Sequence, residues 1–294
     1  MSQMTLHKML IALAAGALTM SAATNPNMLV ETGWLADHLN DPNLVIVQVG
    51  NDKAAYDAGH IPGARFVSMK DLVVAQNGVP NELPAAANLK AAFEAAGVSD
   101  NSRVILYSEG AVLPATRAYF TLDYIGHGDQ AALLDGGLDK WKAENRPVTT
   151  QAAKAGGGHL TLRPRPETVV STAAVKDLSF SALQDANDAP TLLDVRSANM
   201  FSGNSDRAGH IPGSVNLDWT TTQSKGSELK SAETLKALYE AAGVDPSKPV
   251  VTYCNSGMQA SQSYFVLKYL GYDARLYDGS MSEWRATDGT TVDK

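Results

Sequence analysis

The pentapeptide Gly59-His60-Ile61-Pro62-Gly63 recurs without change as Gly209-His210-Ile211-Pro212-Gly213, and this duplication decides how the rest of the chain is interpreted. Three further pairs of segments keep the same order at a nearly constant offset of about 145 positions. They are 94–98 with 240–244, 119–126 with 264–271, and 134–137 with 277–280. Because this period is far longer than that of a solenoid repeat, we interpret each copy as a whole domain.

A segment rich in glycine and proline separates the two copies. It contains Gly156-Gly157-Gly158 and then Arg163-Pro164-Arg165-Pro166, an order typical of a linker that is flexible first and extended later. We therefore predict an N-terminal domain over residues 28–148, a linker over 149–168 and a C-terminal domain over 169–294. With 294 residues the chain is long enough for two domains of ordinary size.

Residues 1–23 have the pattern of a secretory signal peptide. His7 and Lys8 precede an apolar run from Met9 to Met20, and small residues follow it up to Ala23. The run is shorter than the roughly 20 apolar residues that a membrane span needs. We expect cleavage near Ala23, a periplasmic or secreted protein, and no membrane association after cleavage. An uncleaved anchor and a misassigned start codon are the alternatives.

The charge and the cysteine count narrow the possible functions. The formal net charge is −7 and shows no long run of one sign, which argues against nucleic acid as the main partner, because phosphate binding needs a concentrated basic face. The single cysteine, Cys254, cannot form an internal disulfide. A lone thiol in an oxidising compartment is a liability unless it is buried or used.

Within each copy, apolar runs alternate with helical patterns, which indicates an α/β domain built on a mainly parallel sheet. In the second copy the predicted strands are 191–195, 249–253 and 274–277, and the predicted helices are 232–242, ending at Gly243, and 260–270. Ligands of such sheets bind beyond the carboxyl ends of the strands. Cys254 follows the second of these strands directly.

The loop Cys254-Asn255-Ser256-Gly257-Met258-Gln259 joins this strand to the next predicted helix. Backbone N–H groups of a short strand-to-helix loop, together with the positive end of the helix, hold an anion without a charged side chain. A thiolate there, or a persulfide formed on it, would be stabilised by those donors. The alternative is that Cys254 is only a small buried hydrophobe. The first copy has Ser108 at the matching position.

These features together resemble the tandem-domain rhodanese-type sulfurtransferases. They are the two pentapeptides, Leu193-Asp194-Val195-Arg196, the loop from Cys254, and Tyr277-Asp278-Gly279-Ser280 with Trp284, and the resemblance runs from about Leu29 to the C terminus. It implies an α/β fold with two tandem rhodanese-like domains, each a five-stranded, mainly parallel sheet flanked by helices, and an active site between the domains. It also implies that the N-terminal domain lacks the cysteine and that the C-terminal domain is catalytic.

The activity implied by the resemblance is transfer of sulfane sulfur from thiosulfate or 3-mercaptopyruvate, through a cysteine persulfide, to a thiol or cyanide. No metal or organic cofactor is implied. On the family's motif, Cys254 and Ser256 are the catalytic residues of the loop. The donor would be bound by the other four loop residues, Asn255, Gly257, Met258 and Gln259.

Two arginines match positions at which mercaptopyruvate-preferring relatives bind the carboxylate and the keto oxygen of the donor. They are Arg196, which follows a predicted strand, and Arg207, which lies shortly before the second pentapeptide. A pair of guanidinium groups suits a 2-oxo acid. The alternatives are a structural ion pair for Arg196, with Asp194 orienting it or capping the adjacent loop, and a solvated loop cation for Arg207.

Ser256 works in relatives with a histidine and an acid from the N-terminal domain. His60 stands at the position of that histidine, and Asp52 is our candidate for the acid. The alternative is that His60 and His210 only brace the turn before proline. We interpret Asp135 and Asp278 as residues that fix turns.

The neutral loop favours 3-mercaptopyruvate as donor, because thiosulfate-preferring relatives carry basic residues directly after the cysteine. Asn255, Met258 and Gln259 depart from the Cys-Gly-Ser/Thr-Gly pattern of mercaptopyruvate-preferring relatives, so thiosulfate stays as the alternative. A phosphatase of the Cys-x5-Arg type is disfavoured because Ala260 stands where its arginine would be. A non-catalytic persulfide carrier or protein-binding module is the alternative from another class.

Overall fold

The structure, a computed structural model, describes residues 23–76, 78–153, 156–184, 189–203 and 208–294. Apart from Ala23, the predicted signal peptide lies outside the described residues, and so does Arg207. Within those ranges, none of the helices has the length and apolar character that crossing a bilayer would require.

The N-terminal domain is a parallel sheet covered by helices on both faces. Its strands are β1 (Leu29–Val30), β2 (Leu44–Gly50), β3 (Arg65–Ser68), β4 (Val74–Gln76), β5 (Val79–Glu82), β6 (Arg103–Tyr107) and β7 (Ala131–Leu134), and its helices are α1 (Thr32–His38), α2 (Lys53–Ala58), α3 (Met69–Leu72), α4 (Ala86–Ala95), α5 (Leu113–Tyr124) and α6 (Gly137–Ala143). Five strands pair in the order β1-β7-β6-β2-β3, all in parallel. Strands β4 and β5 form a separate antiparallel pair, which we call the β4–β5 ribbon.

The apolar run of β2 explains why this sheet is buried on both faces. Val45 and Val47 belong to one core cluster, whereas Ile46 belongs to the cluster on the opposite face. A near-continuous run of this kind is typical of a parallel strand with helices on both sides.

The C-terminal domain repeats this architecture. Its elements are α7 (Thr172–Leu183), β8 (Thr191–Asp194), α8 (Ala198–Phe201), β9 (Val215–Asn216), α9 (Ala232–Ala241), β10 (Val250–Tyr253), α10 (Met258–Tyr269), β11 (Ala274–Leu276) and α11 (Ser280–Ala286). Four strands pair in parallel in the order β11-β10-β8-β9. Val169 forms a single parallel bridge with Leu276, at the position that β1 occupies in the first sheet. The predicted fold class is confirmed, with the fifth position of the second sheet reduced to this bridge.

Two glycines set the ends of the helices nearest the cysteine. Helix α9 ends just before Gly243, whose φ of +87° is the left-handed conformation predicted for it. Helix α10 begins at Met258, earlier than the predicted start at Ala260. The reason is that Gly257, with φ +82°, already lies at the N-cap position, so the cysteine loop is shorter than its sequence pattern indicated.

The segment between the two domains packs on the N-terminal domain. The Gly158 N–H donates to the Glu94 carbonyl, and Leu160 is buried. A Cβ atom on Gly158 would lie 1.9 Å from the Val98 carbonyl oxygen, so this position requires glycine for close approach. The glycine at 158 therefore serves packing rather than the flexibility predicted for this part of the linker.

Helices α5 and α10, which occupy equivalent places in the two copies, form the centre of the contact between the domains. Tyr119 meets Phe265 edge-on with ring centroids 4.9 Å apart, and Phe120 meets Tyr264 in the same way at 5.1 Å. Each contact joins a residue of one copy to the neighbour of its counterpart in the other, which is the pattern of a two-fold interface. Edge-to-face aromatic pairs of this kind add to the burial of their apolar area.

We expect Phe265→Ala to lower the free energy of unfolding by about 3–5 kcal/mol, because it removes a fully buried ring from the contact between α5 and α10. Urea unfolding measures the change. Phe180→Ala is the matched control: its ring is 67% exposed, so the change there should stay within about 0.5 kcal/mol. Equal effects of the two substitutions would show that α5 and α10 do not form a stabilising interface.

Candidate active site

Cys254 lies directly beyond the carboxyl end of β10, which has β8 on one side and β11 on the other. Its side chain is 1% exposed and joins the apolar core. Two backbone bonds tie the loop to α11: the Met281 N–H donates to the Cys254 carbonyl at 3.1 Å, and the Ser282 N–H donates to the Asn255 carbonyl at 3.0 Å. The cysteine is therefore buried, as the alternative interpretation expected, yet it also borders the polar groups of this loop.

Ser280, the first residue of α11, holds the loop together. Its Oγ accepts hydrogen bonds from the Cys254 N–H at 3.1 Å and from the Gly257 N–H at 3.2 Å. Its own hydrogen has two acceptors in reach, the Tyr277 carbonyl at 2.9 Å and the Cys254 Sγ at 4.0 Å. Ser280 is fully buried and has φ +50°, a conformation that few residues other than glycine adopt.

The remaining N–H groups of the loop are available to a ligand. Within the described residues no acceptor faces the N–H groups of Asn255, Ser256, Met258 or Gln259. Since the last two also open α10, the positive end of the helix adds to these donors. The side-chain oxygen of Gln259 is buried and has no partner there either. The loop that carries Cys254 therefore has backbone donors without an acceptor, as a loop that holds an anion requires.

Arg196 combines the two roles that the sequence left open. It is 1% exposed and bound to both carboxylate oxygens of Asp194, and its Nη2 also donates to the Gly209 carbonyl at 2.8 Å. Its Nη1 is buried without a partner among the described residues. Burial alone would lower the pKa of Arg196, but the bonds and charge of Asp194, with smaller contributions from Tyr253 and Cys254, hold it above its ordinary value. A permanent cation near Cys254 therefore keeps an unpaired Nη1, which carries two N–H donors.

Ser256 receives its partner from the N-terminal domain, and that partner is Asn81 of the β4–β5 ribbon. The Asn81 Nδ2 donates to the Ser256 Oγ at 2.9 Å. The backbone around Asn81 is fixed by Arg117 and Asp278: Arg117 Nη2 donates to the Asn81 carbonyl at 2.7 Å, and the Leu83 N–H donates to Asp278 at 2.7 Å. The cysteine loop of one domain is thus joined to a ribbon of the other.

A buried ion pair closes this contact. Arg117 of α5 is fully buried and binds both oxygens of Asp278, at 2.5 and 3.1 Å. A Cβ atom on Gly257 would lie 2.5 Å from the nearer of these oxygens, so the loop packs directly against the pair. Asp278 therefore does more than fix a turn, because it links the loop to the N-terminal domain.

The structure does not bring His60 and Asp52 to Ser256. Both ring nitrogens of His60 lie against backbone carbonyls, those of Tyr56 at 2.8 Å and Gln151 at 3.2 Å, and the ring stacks on Tyr56. Asp52 is exposed and caps α2 through the Ala54 N–H. The contacts support the alternative, in which the histidine of the pentapeptide braces its turn.

Glu82 follows Asn81 and places a second carboxyl near the loop. The side chain is half-buried, and its Oε1 is enclosed without a hydrogen-bond partner in the described part of the chain. Burial, and then the charges of Asp278 and Glu283, raise the pKa of Glu82 from 4.5 to about 7, against the opposing effect of Arg117. Near neutral pH this carboxyl is therefore only partly ionised.

The matching place in the N-terminal domain is occupied by the protein itself. The loop after β6 begins at Ser108, whose hydroxyl donates to the Ala111 carbonyl, while the Gly110 N–H donates to the Asp139 carboxylate at 2.7 Å. Asp135 receives the Leu229 N–H at 2.9 Å, as Asp278 receives that of Leu83. The frame of the site is therefore present twice, but the first copy lacks the sulfur and binds one of its own loop donors.

Sequence reasoning missed Asn81 and Arg117. A signal for Arg117 was present, because the segment 119–126 aligns with 264–271 and this alignment places Gln262 opposite Arg117. A buried guanidinium needs a carboxylate, and its presence in only one copy of the helix indicates that this carboxylate lies in the other domain, as Asp278 does. In the second copy Gln262 instead donates to the Thr222 hydroxyl at 2.8 Å. Asn81 has no such signal, since its partner is 175 residues away in the sequence.

Ser280→Ala should lower the free energy of unfolding by about 1–3 kcal/mol, because it leaves the buried N–H groups of Cys254 and Gly257 without an acceptor. Chemical denaturation measures this change. Ser282→Ala serves as the control, since Ser282 bonds to the loop through its backbone N–H and that bond survives the substitution. A Ser280 variant as stable as the control would show that the hydroxyl does not hold the loop.

Glu82→Gln should raise the melting temperature at both pH values, and the rise should be about 2–4 °C larger at pH 8 than at pH 5. The folded-state pKa of about 7 lies above the ordinary 4.5, so folding favours the protonated carboxyl and stability falls as the pH rises between these values. Glutamine mimics the neutral acid and escapes that loss. Thermal unfolding at both pH values tests this, with Glu167→Gln, an exposed glutamate, as control. A gain independent of pH would contradict the raised pKa.

The described residues hold no group of three or more His, Cys, Asp and Glu side chains arranged for a metal ion.

The rhodanese-like domain model matches the chain twice, over residues 31–144 and 179–287. The chain is 34% identical to the sulfur carrier protein TtuD of Thermus thermophilus over 92% of its own length and 98% of the relative. It is 33% identical to a putative thiosulfate sulfurtransferase of Mycolicibacterium smegmatis over 91% and 98% of the two chains.

A solved structure gives the same result. The crystal structure of SseA from Escherichia coli, a 3-mercaptopyruvate sulfotransferase, matches with a TM-score of 0.75 and 30% identity, covering 86% of this chain and 98% of that one. Two copies of one domain, similarity over nearly the whole chain and a cysteine loop in the second copy agree with one another. The chain belongs to the rhodanese family and is a tandem-domain, rhodanese-type sulfurtransferase.

Proposed function

We propose that this sulfurtransferase takes the thiol sulfur of 3-mercaptopyruvate onto Cys254 as a persulfide and passes this sulfane sulfur to a thiol or cyanide. The observation that carries the proposal is that the loop of Cys254 has backbone N–H groups without an acceptor, and that the Nη1 of Arg196 is buried without a partner among the described residues. The donors suit a thiolate and its persulfide, whereas the arginine suits the carboxylate or keto oxygen of a 2-oxo acid.

The first half-reaction forms a sulfur–sulfur bond and breaks a carbon–sulfur bond. The Cys254 thiolate attacks the sulfur of the donor, and the electron pair of the broken bond passes into the enolate of pyruvate. The proton of the former donor thiol moves from the new persulfide to the enolate carbon, which gives pyruvate and an ionised persulfide. Loop N–H groups stabilise the negative charge on sulfur at each stage.

In the second half-reaction the acceptor takes the outer sulfur. A thiolate or cyanide attacks that sulfur, the bond to Sγ breaks, and the Cys254 thiolate is restored. The net charge does not change in this step, so it needs no further proton donor. The scheme is a double displacement in which donor and acceptor use the same loop in turn.

Charges near the loop favour a monoanionic donor over a dianion. Arg117 and Arg196 are each paired with a carboxylate, so neither adds a net positive charge to the site. Glu283 and the ionised fraction of Glu82 add negative charge beside Asp278. Thiosulfate carries two negative charges and would meet this field without the cations that a dianion needs. We therefore propose thiosulfate as the poorer donor.

The name of the relative from Thermus thermophilus supports a second candidate, a persulfide carrier that turns over small donors poorly. The same loop would hold the persulfide in either role. The two functions differ in turnover, since a carrier takes up one sulfur per chain and keeps it until a partner protein removes it.

We also propose that the chain is exported to the periplasm or outside the cell. The support is the order of His7 and Lys8, the apolar run from Met9 to Met20 and the small residues up to Ala23. The mass of the mature N terminus after expression with the full leader tests this directly.

Steady-state kinetics with each donor, using cyanide as acceptor, test the proposed activity. We expect kcat/KM for mercaptopyruvate to exceed that for thiosulfate on the order of tenfold, and Cys254→Ser to abolish turnover with both donors because it removes the nucleophile. Preference for thiosulfate would overturn the donor assignment. Stoichiometric sulfur uptake by Cys254 without turnover would replace the enzyme with the carrier.

A further inference from the structure

We propose that Asn81 of the N-terminal domain is a positioning residue for sulfur transfer, because it fixes the Ser256 hydroxyl as a hydrogen-bond donor towards the substrate. The proposal rests on the proposed function, in that the donor is a 2-oxo acid bound at Cys254. It gives the domain that lacks the cysteine a direct part in the reaction.

The position of Asn81 is held on both sides. Its carbonyl receives a hydrogen bond from Arg117 at 2.7 Å, and Leu83, two residues further on, donates its N–H to Asp278. Arg117 and Asp278 are themselves paired and buried. The Asn81 side chain therefore meets Ser256 from a backbone that the two domains fix together, and a site supported in this way keeps its geometry.

The direction of this hydrogen bond decides what the serine can do. A hydroxyl has one hydrogen and two lone pairs, and the Nδ2 group of an asparagine can only donate. Since Asn81 donates to the Ser256 Oγ at 2.9 Å, it occupies a lone pair and leaves the hydroxyl hydrogen unused. Within the described residues that hydrogen has no acceptor. Ser256 is therefore left with one free donor at the loop.

A free hydroxyl donor matches the charge that develops in the first half-reaction. As the carbon–sulfur bond of mercaptopyruvate breaks, negative charge grows on the enolate oxygen, and a donor placed there stabilises it more than it stabilises the ground state. Ser256 keeps its proton throughout, because the proton that reaches carbon comes from the donor thiol. Thiosulfate forms no enolate, so its reaction should depend much less on this hydroxyl.

Asparagine also differs from a histidine in the same role. A histidine partner can donate or accept and changes its charge near pH 6.5, whereas a carboxamide keeps one set of donors at every pH. The positioning of Ser256 by Asn81 should therefore add no ionisation near neutral pH to the rate profile. His60 is not needed for this task, and its two ring nitrogens already lie against backbone carbonyls.

The test compares Asn81→Asp and Asn81→Ala with wild type, in the full chain and with both donors. Aspartate has the shape of asparagine but accepts instead of donating, so the Ser256 hydrogen turns towards it and is lost to the substrate. We expect kcat for mercaptopyruvate to fall by about 10- to 100-fold in both variants, with KM changed by less than about threefold and the rate with thiosulfate reduced much less. Asn88→Ala, an exposed asparagine on α4, is the matched control.

A double-mutant cycle with Ser256→Ala separates positioning from a general structural effect. If Asn81 acts through Ser256, Asn81→Ala should have almost no further effect on kcat once the hydroxyl is gone. Full activity of Asn81→Asp, or an equal loss in the two backgrounds, would overturn the proposal. Thermal unfolding identifies variants that fail to fold. If one of the two Asn81 variants does not fold, the kcat of the other still tests the positioning role.

The outcome for the wild-type protein is separate from the outcome for Asn81. Lack of turnover with mercaptopyruvate in wild type would overturn the donor assignment, and the role of Asn81 would fall with it. Wild-type turnover with unchanged Asn81 variants would overturn only the positioning role.

Discussion

The ion pair between Arg117 and Asp278 is the constraint on which the active site depends. Two opposite charges buried between domains repay the cost of leaving water only when their geometry is good and further hydrogen bonds support them. Here the extra bonds are the donation of Arg117 to the Asn81 carbonyl and the donation of the Leu83 N–H to Asp278, whereas the Nε of Arg117 is buried without a partner among the described residues. The guanidinium also lies 5.2 Å from the centre of the Phe120 ring. Because Asp278 packs against Gly257, the same pair fixes the cysteine loop of one domain and the β4–β5 ribbon of the other.

The duplication places the same frame in both copies and the cysteine in only one of them. Both domains place a loop at the carboxyl end of a strand and follow it with a helix, and in both an aspartate receives an N–H from the opposite domain. The differences include single residues, with Ser108 in place of Cys254 and Gln262 in place of Arg117, and a loop that is one residue longer in the first copy. The fold therefore supplies the frame twice, and on the proposed function the cysteine and a few neighbouring side chains decide which frame performs chemistry.

The sequence predicted the parts of this site that are local. The apolar run of β10, Gly257 and the start of α10 lie next to one another in the chain, so periodicity and glycine placed Cys254 correctly. It also suggested both the ion pair and the substrate role of Arg196, and the structure allows both because one guanidinium nitrogen stays unpaired. Asn81 could not be predicted, since its contact with Ser256 depends on how two domains dock. His60 was assigned to the site by motif, but the pentapeptide forms a local turn that uses both ring nitrogens.

The groups that this loop leaves free for a substrate are directed hydrogen-bond donors rather than net charges. Each buried guanidinium is already neutralised by its own carboxylate. What remains for a sulfur donor is the unpartnered Nη1 of Arg196, the backbone N–H groups of the loop and the Ser256 hydroxyl. Such groups distinguish ligands by where their oxygens lie, because hydrogen bonds weaken steeply when they are misaligned. A planar 2-oxo acid presents carboxylate and keto oxygens in fixed directions, whereas a tetrahedral dianion gains mainly from net positive charge. On the proposed function, the pairing of both arginines is therefore the physical reason why a neutral loop would suit an oxo acid.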